Sequence, residues 1–185
     1  MQEFRSAGDF AGFLNALAMR AGLAEHRAVQ ASGEIVQREA KRSLGTYHEA
    51  VGPFDKWAPL ADSTQERREK MGLPPNKPLL ATHELRDHIL TEAHGNRAAV
   101  GVPSVIVGDG TKENPSRDIG MVAAVMELGS AKVPPRPFLG RAAFVKARDS
   151  ARVAAVVVGA TIADQPFRNV SAATILKAAG PGEET

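Results

Sequence analysis

Three prolines in four positions, Pro134-Pro135-Arg136-Pro137, constrain this chain more than any other feature. Each proline fixes φ near −65° and removes a backbone donor, so the segment cannot be an interior sheet strand. Val133–Leu139 is therefore expected to be a stiff, extended arm that stays ordered at little entropic cost. It feeds a long apolar-and-basic stretch, roughly Arg141 to Val158, that reads as the last long helix. Two placements are open for the arm. It can lie across a neighbouring subunit, with Pro134, Pro135, Arg136, Pro137, Phe138 and Leu139 as interface candidates. Phe138 and Leu139 would then anchor its end, and Arg136 would reach a carboxylate or backbone carbonyls. Alternatively, it packs within its own chain and simply launches the helix.

The first fifty residues are expected to form an N-terminal helical region (1–50). Ser6 or Asp9 can cap, and Phe10, Phe13, Leu14, Leu17 and Ala21 recur at three-and-four spacing. Gly22 is expected to bend the chain before a second stretch from Leu23 to about Gly45, with a thin apolar face of Ala24, Ala28, Ile35 and Leu44. From Gly52 to Pro78 the prolines indicate loop, interrupted by a short helix capped from Asp62-Ser63-Thr64 and stopped at Gly72. Thr82 is expected to cap another, His83 to about Ile89. A β-hairpin follows, Ile89–Ala93 and Ala98–Val102 around His94-Gly95-Asn96, then a strand at Ser104–Val107. Met121–Leu128, apolar on nearly every side, reads as a buried helix or strand. Residues 51–179 would form one α+β core, with a short helix at Ser171–Ala179, and 180–185 a flexible tail.

Composition narrows the function classes. Lys+Arg 23 against Asp+Glu 21 gives a charge of +2, which excludes a polybasic nucleic-acid coat. With no Cys there is no disulfide, thiolate metal site or Cys nucleophile, and a reducing cytoplasm is the default compartment. No apolar run approaches a bilayer span, and the N-terminus lacks the pattern of a secretory signal. Aromatic residues are only 5%, with one Trp. A core of Ala, Val and Leu has few bulky anchors, and such a chain is either modestly packed or completed by neighbouring subunits. Trp57, amid Pro53, Phe54, Pro59 and Leu60, is the expected anchor of an irregular segment, with Leu60 and Leu85 beside it.

Motifs that could carry chemistry fail on spacing. His83 and His88 are five apart, about 140° around a helix, whereas a zinc-protease pair needs i and i+4. Asp109–Glu113 has acids at calcium-loop spacing, but Asn114 and Gly120 stand where Gly and Glu are required. Gly108-x-Gly110 lacks the third glycine of a phosphate cradle. No nucleophile-elbow pattern accompanies the Ser, His and Asp residues. No catalytic, cofactor or metal residue is therefore assigned. On the last helix Arg141, Arg148 and Arg152 line one side, and Phe144, Ala147, Ala151, Ala154, Ala155 and Val158 the other. Phosphate tracking, an acidic partner subunit and a plain solvated face all remain readings of that basic side.

Two ordered sets of segments are more informative. The first is Trp57-Ala58-Pro59-Leu60-Ala61-Asp62-Ser63-Thr64, then Leu80–Ile89 and Val100-Gly101-Val102. The second is Ala123–Gly129 followed by Val133-Pro134-Pro135-Arg136-Pro137-Phe138-Leu139-Gly140. In order and spacing they resemble the tail-completion (virion-morphogenesis, neck) proteins of tailed bacteriophages. The match runs from about Trp57 to Val158, and the arm is its most specific part. His83 departs from the family's usual Gly, Leu128 from an aromatic, and Val122–Met126 from a Tyr-Ala-x-x-His tract. The resemblance implies a structural protein of the head–tail junction with an α+β fold, a curved, mainly antiparallel sheet flanked by long helices. It further implies a homo-oligomeric ring, sixfold or twelvefold, around the DNA channel. The partners implied are itself, the head connector or head-closure protein, the tail terminator or tail tube, and DNA passing without sequence-specific binding. No cofactor and no membrane are implied, and the location would be the virion, after assembly in the bacterial cytoplasm. A small nucleic-acid-binding module using the basic side of helix 141–158, and an uncharacterised hydrolase, are the alternatives.

Overall fold

A computed structural model of the chain describes residues 4–111 and 115–163. Lys112, Glu113 and Asn114, the helix expected at 171–179 and the tail at 180–185 lie outside the described residues. The class is α+β: long helices with small antiparallel sheets and, among the described residues, no closed barrel.

Helix α1 runs unbroken over Ala7–Ser43, 37 residues, or about 55 Å at 1.5 Å per residue. Of the two expected caps it is Ser6 that acts, its Oγ accepting the Asp9 N–H at 3.0 Å. The bend expected at Gly22 is absent. An interior glycine costs only about 1 kcal/mol relative to Ala, and helical turns on both sides carry the ladder through it.

The chain divides into two compact units. Among the described residues, one unit takes 4–35, Glu92–Ala99 and 148–163; the other takes Val36–Thr91, 100–111 and 115–147. In the first, Ala28 and Ile35 of α1 pack with Val153 and Val157 of helix α5, Leu139–Ile162. Ser32 Oγ donates to the Ser150 carbonyl at 3.2 Å in the same seam. The expected apolar face of α5 is met in part: Ala154 and Val158 pack against the seam beside the buried Val153 and Val157, whereas Phe144, Ala147, Ala151 and Ala155 are exposed.

In the second unit Leu44, Trp57, Leu85, Ile89, Ile119 and Phe138 share one core. Helix α2, Asp62–Lys70, buries nothing and begins from Ala61 without a side-chain cap. Helix α3 is one turn, Glu84–Asp87, with His83 at its N-cap. The Thr82 hydroxyl donates to the Glu84 carboxylate at 3.0 Å, so the expected Thr82 cap is not made. The hairpin falls one residue from expectation, β1 Leu90–His94 and β2 Arg97–Gly101 around Gly95-Asn96, with Gly95 at φ 56°. Strand β3, Ile106–Val107, pairs antiparallel with β4, Arg117–Asp118, in the register Ile106↔Asp118 and Val107↔Arg117.

Met121–Leu128 resolves to helix α4, Ile119–Leu128, but it is not buried all round. Ile119 and Ala123 are covered, while Met121 is 65% and Leu128 79% exposed. One side of a ten-residue helix suffices to close this core. Among the described residues no helix is long and apolar enough to cross a membrane.

Candidate functional site

The site is the proline arm and what holds it. Asp118 starts the arrangement as N-cap of α4, its Oδ1 accepting Gly120 N–H at 2.8 Å and Met121 N–H at 3.3 Å. The Ser104 hydroxyl donates to its other oxygen, and this bond is the main cause holding the carboxyl below its ordinary pKa. Gly120 is needed because a Cβ there would lie 2.9 Å from the Pro103 carbonyl.

At the far end of α4, Gly129 turns the chain at φ 78°. A side chain there would also strike the Pro135 ring at 2.9 Å. Ser130 and Val133 close a turn, with Ser130 N–H donating to the Val133 carbonyl at 2.8 Å. The arm then returns alongside α4, and Arg136 N–H reaches the Met126 carbonyl at 2.7 Å. It forms no sheet ladder, as its prolines require.

Arg136 is 4% exposed. Its Nη2 donates to the Ala58 carbonyl at 2.9 Å and the Pro59 carbonyl at 3.2 Å, and its Nε to Ala58 at 3.3 Å. Burial lowers its pKa, partly countered by Tyr47. Guanidinium remains cationic even so, and planar donors facing fixed carbonyls lessen the cost of burying it.

Phe138 is fully buried, and the backbone beside it is held by one side chain. Glu127 Oε2 accepts the N–H groups of Phe138 at 2.8 Å and Leu139 at 3.0 Å; Oε1 accepts Gly140 N–H at 2.8 Å. These are unpaired donors of the first turn of α5, so a carboxylate from α4 caps α5 and meets the positive end of its dipole. Gly140 leaves room for it, since a Cβ there would lie 3.1 Å from Glu127 Oε1.

The buried part of the arm, Arg136 and Phe138, packs within its own chain. Phe138 and Arg136 are not presented to a neighbour: one fills the core of its own chain and the other is spent on its own carbonyls. Pro134 and Pro135 are exposed, and Pro137 and Leu139 half-buried. Trp57, Leu60 and Leu85 are buried, at 4%, 9% and 6% exposure. The His48 ring stands edge-on to Trp57, 4.6 Å between centroids. Together with Tyr47, Glu49, Lys56 and Pro59 these two rings line a shallow, open depression of about 240 Å³, below the usual size of a ligand pocket.

The basic side of α5 is uneven. Arg148 is exposed, Arg152 is half-buried and engaged within the chain, and the Nε of half-buried Arg141 is itself buried with no hydrogen-bond partner among the described residues. His83 is exposed, while His88 Nδ1 lies 2.8 Å from the Glu84 carbonyl. Glu84 also pairs with Arg117. Among the described residues no three His, Asp or Glu side chains are grouped to hold a metal ion.

Sequence reasoning missed Glu127. The signal was present: an acid in the last turn of an apolar helix opposes the local dipole and so calls for another partner. In this site Arg136, Glu127 and Asp118 are committed to positioning backbone through main-chain partners. Comparison with family models, with curated proteins and with solved structures gave no match.

Proposed function

We propose that this chain is a structural subunit of a phage head–tail junction, a neck or tail-completion protein acting by assembly and not by catalysis. The observation that carries the reading is the bond from Arg136 to the carbonyls of Ala58 and Pro59. It joins the two segments on which the resemblance rests, Trp57–Thr64 and Val133–Gly140, at one point of the fold. Two motifs far apart in sequence therefore serve one structural purpose, as expected when they belong to one architecture.

In this reading the subunits form a ring about the DNA channel, and their small sheets combine into a curved wall. The ring joins the head connector to the tail, and DNA passes without base-specific contacts. The exposed Pro134-Pro135 corner is a preformed contact surface beside the buried part of the arm. Electron microscopy of the purified full chain, alone and mixed with a head-connector ring, tests the proposal. Closed rings with a central opening, or a collar added to the connector, are the expected result. A chain that neither closes into rings nor binds the connector overturns it.

A further inference from the structure

We propose that the N-terminal half of α1 is a self-association surface on which two copies of the free protein pair antiparallel, about a two-fold axis near Leu14. At 100° per residue, Phe10, Phe13, Leu14, Leu17 and Ala21 continue the same side of the helix as Ala28 and Ile35. That side is covered at Ala28 and Ile35, 5% and 3% exposed, by Val153 and Val157. Further toward the N-terminus the cover thins: Phe13 and Leu17 are half-buried, while Phe10 is 47% and Leu14 46% exposed. Phe4 adds its ring against Phe10 and Phe13, 5.2 Å from each, and widens the apolar surface. An existing helix–helix seam therefore runs on into open surface.

The charges beside the stripe identify the occupant as a second copy. Asp9 and Arg20 lie on the same flank, about three turns apart, and their midpoint, between Leu14 and Asn15, lies about one residue from the middle of the stripe from Phe10 to Ala21. Antiparallel pairing about that midpoint sets Asp9 of one copy against Arg20 of the other, twice. It also sets Phe13 opposite Ala16 and beside Leu17, and brings each Leu14 close to its counterpart across the axis. Arg20 keeps a contact within its own chain as well. Such a contact is isologous and closes on itself, whereas a cyclic ring needs a heterologous one. The pair is thus a state of the unassembled protein and does not depend on the ring reading above. Its area is at the small end for specific interfaces, so it should dissociate on dilution.

The natural chain has no Cys, which makes single-cysteine trapping clean. Under mild oxidation L14C should give a covalent dimer, because residues beside the axis come within disulfide reach. M19C, on the opposite side of α1, should not. In sedimentation velocity the wild type should show a reversible monomer–dimer equilibrium. D9R and R20D should each weaken it about tenfold, and D9R/R20D should restore it. Circular dichroism confirms that each variant is folded. A wild type that stays monomeric to high concentration, equal trapping of L14C and M19C, or no restoration by the double swap overturns the proposal. In those cases the stripe is left to residues 164–185 or to another protein. Rings seen by microscopy would stand in either outcome.

Discussion

Glu127 Oε2 accepts the Phe138 N–H at 2.8 Å, so the last turn of α4 holds the first turn of α5 across the proline arm. Leu139 and Gly140 donate to the same carboxylate. Hydrogen bonds to a charged acceptor are stronger than neutral ones, and a lost cap alone costs about 1 kcal/mol. Glu127→Ala should therefore destabilise by about 2–4 kcal/mol in urea unfolding. Glu127→Gln should fall between, since its amide keeps one acceptor oxygen and loses the charge. Equal stability of all three proteins would remove the clamp from this account.

Phe138 fills the core of its own chain, and its backbone is tied down by Glu127. Phe138→Asp should abolish the cooperative thermal transition, because a carboxylate would be buried without a partner. Pro135→Ser, at an exposed corner, should leave the transition within a few degrees of wild type. Differential scanning calorimetry compares the two. A folded, soluble Phe138→Asp would return the arm to an intermolecular role.

Trp57 is 4% exposed and packs on His48. Truncating a buried aromatic costs about 3–5 kcal/mol, and Trp57→Ala should lose that much. As the chain has one Trp, its fluorescence reads this site alone. The native emission should be blue-shifted and poorly quenched by iodide, and it should move to the red on unfolding.

Asp118 contributes to stability in a pH-dependent way. Its folded pKa is depressed, first by the Ser104 hydroxyl and further by backbone N–H groups. The contribution is therefore complete above the unfolded carboxylate pKa of about 3.9 and is lost as pH falls through the lower folded value. The melting temperature of Asp118→Ala should lie below wild type at pH 7, and the gap should narrow as the pH is taken below about 4. Ser104→Ala should shift the onset of that narrowing upward.

Gly52 adopts φ 54° and sits against the Phe144 ring, where a Cβ would be 2.2 Å from Cζ. Gly52→Ala should be destabilising by more than the about 1 kcal/mol of left-handed strain alone. Adding Phe144→Ala should recover part of the loss, measured as a coupling in a double-mutant cycle.

Local pattern alone determined much of this protein. The helical run of α1, the seam residues Ala28 and Ile35, the hairpin to within one residue, and the non-sheet character of the arm all follow from nearest-neighbour chemistry. So does the burial of Trp57, because a lone large aromatic among prolines has few other ways to be satisfied. Tertiary structure decided which side of each element is covered. α4 carries apolar residues all round, yet only Ile119 and Ala123 are buried, since the core had room for one side. On α5 the seam took Val153 and Val157 with Ala154 and Val158 beside them, and left Phe144 and Val156 exposed. The arm could have reached outward or inward; the carbonyls of Ala58 and Pro59 and the carboxylate of Glu127 turned it inward. Those partners lie well outside any local window, and a sequence records a donor's need for a partner without recording where in space the partner will be.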